Sequence, residues 1–399
     1  MSWERVTFES LYEVPSKNGV NKPSRVRGEG VKMVNMGELF QYGRIGDIPM
    51  ERVPMADREL ASSSLEEGDL LFARQSLVLE GAGKCSIVRT VSEPTTFEGH
   101  LIRVRLDKRK ADPQFYYYYF GSSLSPVRTI VQQCAQAGIK ASELAKLGVH
   151  CPPPPTQQRI AAILSAHDDL IENNRRRIQL LEQAARLIFQ EWFVRLRFPG
   201  HEHARVVAGV PEGWERRELR ALCDEIRDTV RANRLDPTAP YIGLEHMPRR
   251  SITLSSWGVA SEVQSDKHAF RAGDILFGKI RPYFHKVGVC LIQGVASTDA
   301  IVIRPRADSY FSLVLMTVSS DLFVAHATQS SHGSKMPRAN WKVLERLLVF
   351  VPPDLLLREF NNLIAPIVSQ LRTLALTNRK LHQARDLLLP KLMSGEIEV

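Results

Sequence analysis

Two long stretches of the chain repeat apolar residues at alternating steps of three and four positions. The first stretch runs from Thr156 to about Phe198, and the second begins at Asp354. Such a repeat is typical of a helix that packs along one narrow face against another helix. The pattern therefore predicts two helices of about forty residues, each about 60 Å long.

The two stripes are predicted to pack on each other as an antiparallel coiled coil. Each occurs once per half of the chain, few other segments match their length, and the chain must return between them. The residues expected at this interface are Ile160, Leu164, Ile171, Asn174, Ile178, Leu181, Ile364, Ile367, Leu371, Leu374, Asn378, Leu381 and Leu388.

Three residues interrupt these stripes. Asn174 and Asn378 occupy otherwise apolar positions. A polar residue there costs stability but can fix the register of the pair; the alternative is that each asparagine points to solvent at a kink. Pro366 lies near the start of the second helix, where we expect a bend or a break.

Short apolar runs outside the stripes predict strands mixed with short helices. Gly, Pro and Ser separate the runs Asp69–Phe72, Leu101–Leu106, Asp274–Phe277 and Ala300–Ile303. Asp112 followed by Pro113 predicts a helix start, because aspartate caps a helix and proline suits its first turn. The aromatic run Phe115–Phe120 is predicted to be a core helix rather than a base-stacking surface, since it is aromatic on every face.

The two halves of the chain contain the same short motifs in the same order, and we call these motifs the repeated landmarks. The matching segments are Trp3-Glu4-Arg5 and Trp214-Glu215-Arg216; Gly68-Asp69-Leu70-Leu71-Phe72 and Gly273-Asp274-Ile275-Leu276-Phe277; Ala111-Asp112 and Ala307-Asp308; Gly138-Ile139-Lys140 and Gly333-Ser334-Lys335; Pro152–Pro155 and Pro352-Pro353. Repetition in one order indicates a duplicated domain whose loops differ in length.

We therefore predict a mixed α+β protein with an internal pseudo-twofold repeat. Two similar globular domains, residues 1–151 and 201–351, are each followed by a long helix, residues 152–200 and 352–399. A chain of 399 residues is long enough for two such domains.

Charge and composition narrow the class of protein. Lys and Arg number 53 against 44 Asp and Glu, which gives a net charge of +9 and a pI near 9.4. Such a surface suits a polyanion, although many basic proteins bind no nucleic acid. The five scattered cysteines include no C-x-x-C pair, and the charged start and short apolar runs suggest neither a secretory signal nor a membrane span. We expect a cytoplasmic protein.

Catalytic and metal-binding signatures are not evident in the sequence. Gly81-Ala82-Gly83-Lys84 lacks the first glycine and the hydroxyl residue of a phosphate-binding loop and is predicted to be a turn. His201-Glu202-His203 has the wrong spacing for a zinc helix. No Asn-Pro-Pro-aromatic motif for methylation of a base amino group and no convincing nuclease cluster is present. We expect no catalytic residues, no metal site and no cofactor in this chain.

Basic and amide side chains beside the repeated landmarks are candidates for reading DNA bases. Arg and Lys suit guanine, and Asn and Gln suit adenine. The candidates are Arg74, Gln75, Lys84 and Lys140 in the first half, and Lys279, Arg281, Lys286, Lys335, Arg338 and Asn340 in the second. Each could instead be a solvated surface charge. Arg175, Arg176 and Arg177 on the first helix are expected on a solvated face, with contact to DNA or to an acidic partner as the alternative.

The combined pattern resembles the specificity subunits of Type I restriction-modification systems, along almost the whole chain. The resemblance is strongest at Pro-Pro-Pro-Pro-Thr-Gln-Gln-Arg-Ile, residues 152–160, and at the ending Arg-Asp-Leu-Leu-Leu-Pro-Lys-Leu-Met-Ser-Gly-Glu-Ile, residues 385–397. Where the family usually has Glu-Gln after the prolines, this chain has Gln157-Gln158 and, at the second site, Arg358-Glu359. The short motif is therefore weaker here than the architecture.

The resemblance implies two target-recognition domains, each binding half of a split double-stranded DNA site, with the helices as a spacer. It also implies three partner chains: two methyltransferase subunits and a restriction-translocation subunit, with S-adenosylmethionine and ATP expected on those partners. Two alternatives remain at this stage. One is a two-headed adaptor that binds proteins, and the other is a DNA-modifying enzyme of unrecognised type.

Overall fold

A computed structural model describes residues 3–133, 137–333 and 335–399. The helices are α1 Met36–Gln41, α2 Asp57–Ser63, α3 Pro113–Gly121, α4 Ala141–Ala145, α5 Pro154–Phe189, α6 Phe311–Val318, α7 Asp321–Gln329, α8 Trp341–Leu344 and α9 Asp354–Ser394. The chain divides into two compact units: unit 1 contains Met1–Asp169 and Leu381–Val399, and unit 2 contains Leu170–Lys380. Each unit thus includes part of both long helices.

The strands alternate with these helices, which makes the architecture mixed α+β as predicted. Those of unit 1 are β1 Arg5–Thr7, β2 Tyr12–Asn18, β3 Val31–Val34, β4 Arg44–Ile45, β5 Glu51–Val53, β6 Leu70–Ala73, β7 Gln75–Ser76, β8 Cys85–Val88, β9 Thr95–Phe97, β10 Leu101–Leu106, β11 Gln132–Gln133, β12 Ala137–Gly138 and β13 Gly148–His150. Those of unit 2 are β14 Val206–Val207, β15 Val210–Pro211, β16 Glu215–Glu218, β17 Cys223–Ile226, β18 Thr229–Val230, β19 Pro240–Ile242, β20 Thr253–Leu254, β21 Gly258–Val259, β22 Lys267–Phe270, β23 Ile275–Gly278, β24 Val287–Cys290, β25 Gly294–Ala296, β26 Ala300–Pro305 and β27 Leu348–Val351.

The duplication is visible in the topology of the main sheets. Unit 1 has a sheet in the order β2-β10-β6-β8-β4, and unit 2 has one in the order β17-β26-β23-β24-β20. In both sheets the last strand pairs in parallel with its neighbour, while the others pair antiparallel. The strand at each Trp-Glu-Arg landmark also pairs with the last strand of its globular part, β1 with β13 and β16 with β27. The repeat inferred from the sequence is therefore a repeat of fold.

Strands β6 and β23 are apolar at every position because both of their faces are covered. Leu70 and Phe72 point into one hydrophobic cluster of unit 1, and Leu71 and Ala73 into another. Alternate residues of β23 divide between two clusters in the same way. A continuous apolar run of four residues is the expected sequence of a strand buried on both faces.

The aromatic run of unit 1 is a core helix, as predicted. The Asp112 carboxylate accepts a hydrogen bond from the Phe115 N–H and caps α3, with Pro113 in the first turn. Most of the aromatic side chains of α3 are buried. The Phe120 ring centroid lies 4.8 Å from that of Phe8 and 5.0 Å from that of Phe72 in edge-to-face contact.

The long helices pack antiparallel within each unit. In unit 2, Asn174 contacts Asn378, whereas Trp192, further along, contacts Phe360. In unit 1, Asp168 contacts Arg385, and the start of α5 shares a hydrophobic cluster with the end of α9. Of the predicted interface residues, Ile160, Leu164, Ile171, Asn174, Ile364, Leu371, Leu374 and Asn378 are buried, and Ile178, Leu181, Ile367, Leu381 and Leu388 are half-buried.

Three details of the sequence prediction are corrected by the structure. Helix α9 continues through Pro366, so the expectation of a break there is wrong. Helix α5 ends at Phe189 and a wider turn follows to Val194, short of the predicted end at Phe198. The asparagines do not point to solvent at a kink: Asn174 and Asn378 are only 7% and 8% exposed.

Candidate nucleic-acid interface

The candidate residues lie mainly in one equivalent hairpin loop of each unit. In unit 1 the loop joins β6 to β8 and carries Arg74, Gln75 and Lys84. In unit 2 the loop joins β23 to β24 and carries Lys279, Arg281 and Lys286. Strands β6 and β23 are buried along their whole length. The residues that directly follow them, Arg74 and Lys279, are therefore the first in each loop that can reach the surface.

Arg74 and Lys279 occupy the same position in the two hairpins. The Arg74 guanidinium donates to the Gly99 carbonyl oxygen at 3.5 Å, and the Lys279 ammonium donates to the Thr298 carbonyl oxygen. Both carbonyls lie two residues before β10 or β26, the strand that pairs with β6 or β23. Both side chains are half-buried. The duplication thus places one cation at the same point in each unit.

A second segment runs beside each hairpin loop and contributes the remaining candidates. The Ile139 N–H donates to the Arg74 carbonyl at 2.9 Å, and the Ala339 N–H donates to the Lys279 carbonyl at 2.8 Å. These bonds bring exposed Lys140 close to the first loop. They bring Lys335, Arg338 and Asn340, all exposed, close to the second loop.

This pairing corrects one part of the inferred repeat. Gly138-Ile139-Lys140 was aligned with Gly333-Ser334-Lys335, of which Ser334 lies outside the described residues. By position in the fold, Lys140 instead matches Asn340, because each immediately precedes a short helix, α4 or α8. The Asn340 side-chain oxygen accepts from the Lys342 N–H and caps α8. The Gly-x-Lys match in the sequence paired Lys140 with Lys335, because the sequence alone does not show that Asn340 caps a helix.

Lys84 and Lys286 are also equivalent, but they contact the main chain of their own unit. The Lys84 ammonium donates to the Phe40 carbonyl oxygen at 2.9 Å, and the Lys286 ammonium donates to that of Leu244. Burial lowers the pKa of Lys84. Each lysine thus ties the start of a strand to a short helical segment, Met36–Gln41 or Leu244–His246, which makes a base contact less direct for these two candidates.

Gln75, Arg281 and Arg338 make single polar contacts with neighbouring residues. The Gln75 amide oxygen lies 2.9 Å from His100 Nδ1. The Arg281 guanidinium donates to the Lys335 carbonyl oxygen at 3.4 Å. Arg338 lies 3.7 Å from the Asp299 carboxylate. These distances are long for the two arginines, so their side chains can exchange such contacts for a ligand at small cost.

The repeated Gly-Asp landmark has a structural role that the sequence did not reveal. Asp69 forms a two-point ion pair with Arg105, with N–O distances of 2.7 and 2.8 Å. Asp274 forms the same pair with Arg304 at 2.7 Å for both contacts. Each carboxylate also accepts a backbone N–H three residues earlier, from Glu66 or from Arg271. The aspartate therefore closes the turn and holds the central strand, next to the candidate loop.

Helix α5 carries further polar contacts that sequence reasoning missed. In unit 1, Asp169 pairs with Arg44 at the start of β4. In unit 2, the Glu182 carboxylate accepts from the Thr253 N–H at 3.0 Å and from the Thr253 and Ser251 hydroxyls at 2.6 and 2.7 Å. Thr253 begins β20, the strand equivalent to β4. The heptad pattern gives no signal for these residues, because they flank the apolar stripe.

Several other sequence features can be placed. Gly81–Lys84 forms a turn, in which Gly83 has a positive φ of 76°. Arg175, Arg176 and Arg177 are exposed on α5, which leaves both interpretations of them open. Cys85, Cys151, Cys223 and Cys290 are free thiols, and Cys134 lies outside the described residues.

The described part of the chain offers little support for a metal site or a membrane span. There, no group of three or more His, Cys, Asp or Glu residues is placed to hold a metal ion. Among the same residues, no single helix is long and apolar enough to cross a membrane. The bent pair Asp308–Val318 and Asp321–Gln329, at 64°, meets the criteria only when both helices are counted together.

The two units share one α+β fold, carry a basic loop at the same position and each include part of the antiparallel helices α5 and α9, so the chain is a duplicated α+β protein. Residues 29–183 match the family model of the Type I restriction modification DNA specificity domain. This part of the chain therefore resembles the DNA specificity domain of Type I restriction systems, and most of the chain is similar to a Type I specificity subunit.

Similarity to known proteins extends beyond this domain. The chain is 22% identical over 373 residues to the Type I restriction enzyme MjaIX specificity subunit of Methanocaldococcus jannaschii, an alignment that covers 87% of this chain and 83% of the relative. It is 29% identical over 153 residues to the EcoDI specificity subunit of Escherichia coli, covering 36% and 32% of the two chains. The crystal structure of the S subunit of a Type I restriction-modification system from M. genitalium shares the fold, with a TM-score of 0.63 at 15% identity over 98% of this chain and 96% of that one.

Proposed function

We propose that this chain is a Type I restriction specificity subunit in which each unit binds one half of a split double-stranded DNA target. The observation that carries the proposal is the equivalence of Arg74 and Lys279, two cations held by the same contact at the same point of a duplicated fold. The residues around them differ between the units, with Gln75 and Lys140 in one and Arg281 and Asn340 in the other. Different side chains on a common frame favour two different half-sites.

In this proposal the helices α5 and α9 set the gap between the half-sites and dock two methyltransferase subunits. A restriction-translocation subunit would join that complex. The chain itself would be non-catalytic and would act in the cytoplasm, while S-adenosylmethionine and ATP would bind to the partners. The support for the docking role is that both long helices expose leucines, among them Leu180 at 56% and Leu363 at 44%, beyond those that the pair needs for its own interface.

The test is a map of methylated sites for matched variants of the chain assembled with its cognate methyltransferase subunits. Arg74→Ala should relax one position of one half-site, and Lys279→Ala should relax one position of the other half-site. Loss of a base contact costs about 1–3 kcal/mol. Gln75→Ala and Arg281→Ala serve as second variants in each loop, because they do not remove the contact to Gly99 or Thr298.

The alternatives predict different results. If all four variants weaken binding to every DNA equally, these residues contact phosphates only. If the assembled wild-type complex shows no sequence preference, the chain is not a target reader, and a two-headed adaptor becomes the better description. Methyl transfer by the purified chain alone would contradict its non-catalytic role.

A further inference from the structure

The hairpin loop of unit 1 exposes three consecutive aliphatic side chains beside the candidate base-reading residues. Leu77 is 89% exposed, Val78 59% and Leu79 47%. We call these three residues the apolar tip. They follow Gln75 and Ser76 directly, at the outer end of the loop. Contiguous exposed apolar side chains are uncommon on folded proteins and mark surfaces that bind something.

The apolar tip is held in place by the main chain around it. The Ser76 hydroxyl accepts from the Val78 N–H at 3.2 Å. The Gly81 N–H donates to the Val78 carbonyl at 3.1 Å, and the Ala82 N–H donates to that of Leu79 at 3.3 Å. A Cβ atom at Gly81 would lie 2.2 Å from the Ser76 hydroxyl oxygen, so a larger residue there would displace the Ser76 side chain. These contacts restrict the tip before binding, which lowers the entropy lost on binding.

The charges around the tip favour DNA as the molecule that covers it. Arg74 precedes the tip in the loop, and exposed Lys140 lies on the segment that pairs with the loop. Glu80, which follows the tip, is exposed and is the acid of this loop; a carboxylate can accept a hydrogen bond from the cytosine amino group. Cations beside a fixed apolar tip match the grooves of DNA, where phosphates flank the base edges.

The equivalent loop of unit 2 also exposes an apolar side chain, of a different kind. Tyr283 is 51% exposed in the short turn that follows Arg281. The neighbouring Phe284 ring lies 4.1 Å from the Arg249 guanidinium carbon. The position in the fold is kept while the chemistry changes from aliphatic to aromatic. This is the difference expected if the two loops meet different bases.

We propose that the apolar tip makes base contacts in the half-site of unit 1, and that its ligand is the C5-methyl group of thymine in the major groove. This methyl group is the apolar feature among the base edges of that groove. The inference rests on the proposed function and extends it: Leu77 and its neighbours become specificity-determining residues in addition to the polar candidates.

The experiment removes the methyl group from the DNA and the side chain from the protein. The half-site is first defined by mapping methylation with the full chain and its methyltransferase subunits. Duplexes are then made with uracil in place of each thymine in turn, and their binding is measured by competition. Wild type should bind the uracil duplex about three- to tenfold more weakly at one or two positions, the effect of burying about one methyl group. Leu77→Ser should bind the thymine and uracil duplexes equally.

Two controls make the result specific to the tip. Val26→Ser removes an aliphatic side chain that is 39% exposed in unit 1 and lies outside both long helices, and this variant should keep the preference for thymine. Uracil in the other half-site should give the same result with wild type and with Leu77→Ser.

Each contrary outcome has a distinct meaning. A half-site without thymine, or an unchanged thymine preference in Leu77→Ser, overturns the inference. It is also overturned if uracil has no effect while Leu77→Ser weakens binding to all duplexes, since the tip would then act as a wedge. Loss of the methyltransferase subunits from the Leu77→Ser complex would make the tip a protein-docking surface. A wild-type complex without sequence preference would overturn the proposed function and this inference with it.

Discussion

Asn174 and Asn378 show how one pair of polar side chains can fix the register of two helices. The Asn174 amide N–H donates to the Asn378 side-chain oxygen at 2.9 Å, and the Asn378 amide N–H donates to the Ile171 carbonyl at 3.4 Å. Both side chains are buried, so each amide depends on the facing helix for its hydrogen bonds. A shift of either helix would separate them and leave both amides unpaired.

We predict that Asn174→Leu lowers the free energy of unfolding by about 1–3 kcal/mol, because it leaves the buried Asn378 side-chain oxygen without its donor. The double variant Asn174→Leu and Asn378→Leu should recover most of that loss, since two leucines fill the site without unpaired polar groups. Urea unfolding of the three variants and wild type gives the double-mutant cycle. Additive losses in the double variant would show that the two side chains do not interact.

His285 makes the stability of unit 2 depend on pH. Its Nε2 atom lies 2.8 Å from the Ser319 carbonyl oxygen. Burial is the main cause that lowers the pKa of His285; the Ser319 carbonyl and Asp321 act against this, and Arg250 and Arg186 add to it. The pKa in the folded chain is therefore below the unfolded value of about 6.5. The unfolded chain binds the proton more readily, so stability is complete above about pH 6.5 and falls as the pH is lowered through the folded pKa.

The matched variant for this prediction is His285→Asn. Residue 285 has a φ of +53°, a conformation that asparagine tolerates better than most residues. We expect the difference in free energy of unfolding between wild type and His285→Asn to move in favour of the variant between pH 7.5 and pH 5. A constant difference across that range would show that His285 does not titrate on unfolding.

Among the elements, the pairs Asp69–Arg105 and Asp274–Arg304 hold the central strand of each main sheet against its neighbour. The Asp69 side chain is fully buried and that of Arg105 is 15% exposed; the Asp274 and Arg304 side chains are 3% and 30% exposed. Removing one member of a buried pair leaves the other charge uncompensated, at a cost of about 3–5 kcal/mol. The aspartate also accepts the backbone N–H that closes the preceding turn, so its loss affects two elements together.

We predict that Asp69→Ala destabilises unit 1 and that Asp274→Ala destabilises unit 2, each with little effect on the other unit. Because Arg304 is more exposed than Arg105, the loss should be smaller in unit 2. Hydrogen exchange of the amides in β6, β10, β23 and β26 reports the two units separately. Equal loss of protection in both units after either substitution would show that they unfold as one.

At the scale of the whole molecule, we predict that the lengths of α5 and α9 set the gap between the two half-sites of the DNA target. Seven residues inserted after Gln179 and seven after Arg372, at the facing level of α9 judged from the Asn174–Asn378 contact, keep both apolar stripes in phase. The insertion adds about 10 Å to each helix. Since DNA rises about 3.4 Å per base pair, the gap between half-sites should lengthen by about three base pairs, with both half-sites unchanged.

Methylation mapping of the lengthened chain with its partner subunits measures this directly. Insertion of seven residues in α5 alone is the control. It displaces the apolar residues of α5 along the helix axis relative to those of α9, and should reduce stability instead of changing the gap. Full activity of the paired insertion at the original gap would show that the helices dock partners without setting the spacing.

The local elements could be predicted because their signals are local. A heptad stripe requires a long helix, Asp112-Pro113 starts a helix, and the buried strands β6 and β23 appear as uninterrupted apolar runs. The ordered repeat of such signals showed the duplication and hence the class of fold. The sequence also placed Arg74 and Lys279 beside the Gly-Asp landmarks, which is where the hairpin loops leave the sheets.

The tertiary structure decided which residues share a position and what each side chain contacts. Lys140 matches Asn340 because each precedes a short helix, a relation that Gly-x-Lys in the sequence had hidden. Lys84 and Lys286 resemble the other candidates until their bonds to main-chain carbonyls are seen. Glu182 and Asp169 contact strands far away in the chain. Helical and strand periodicity depends on near neighbours along the chain, whereas these contacts depend on elements that only folding brings together.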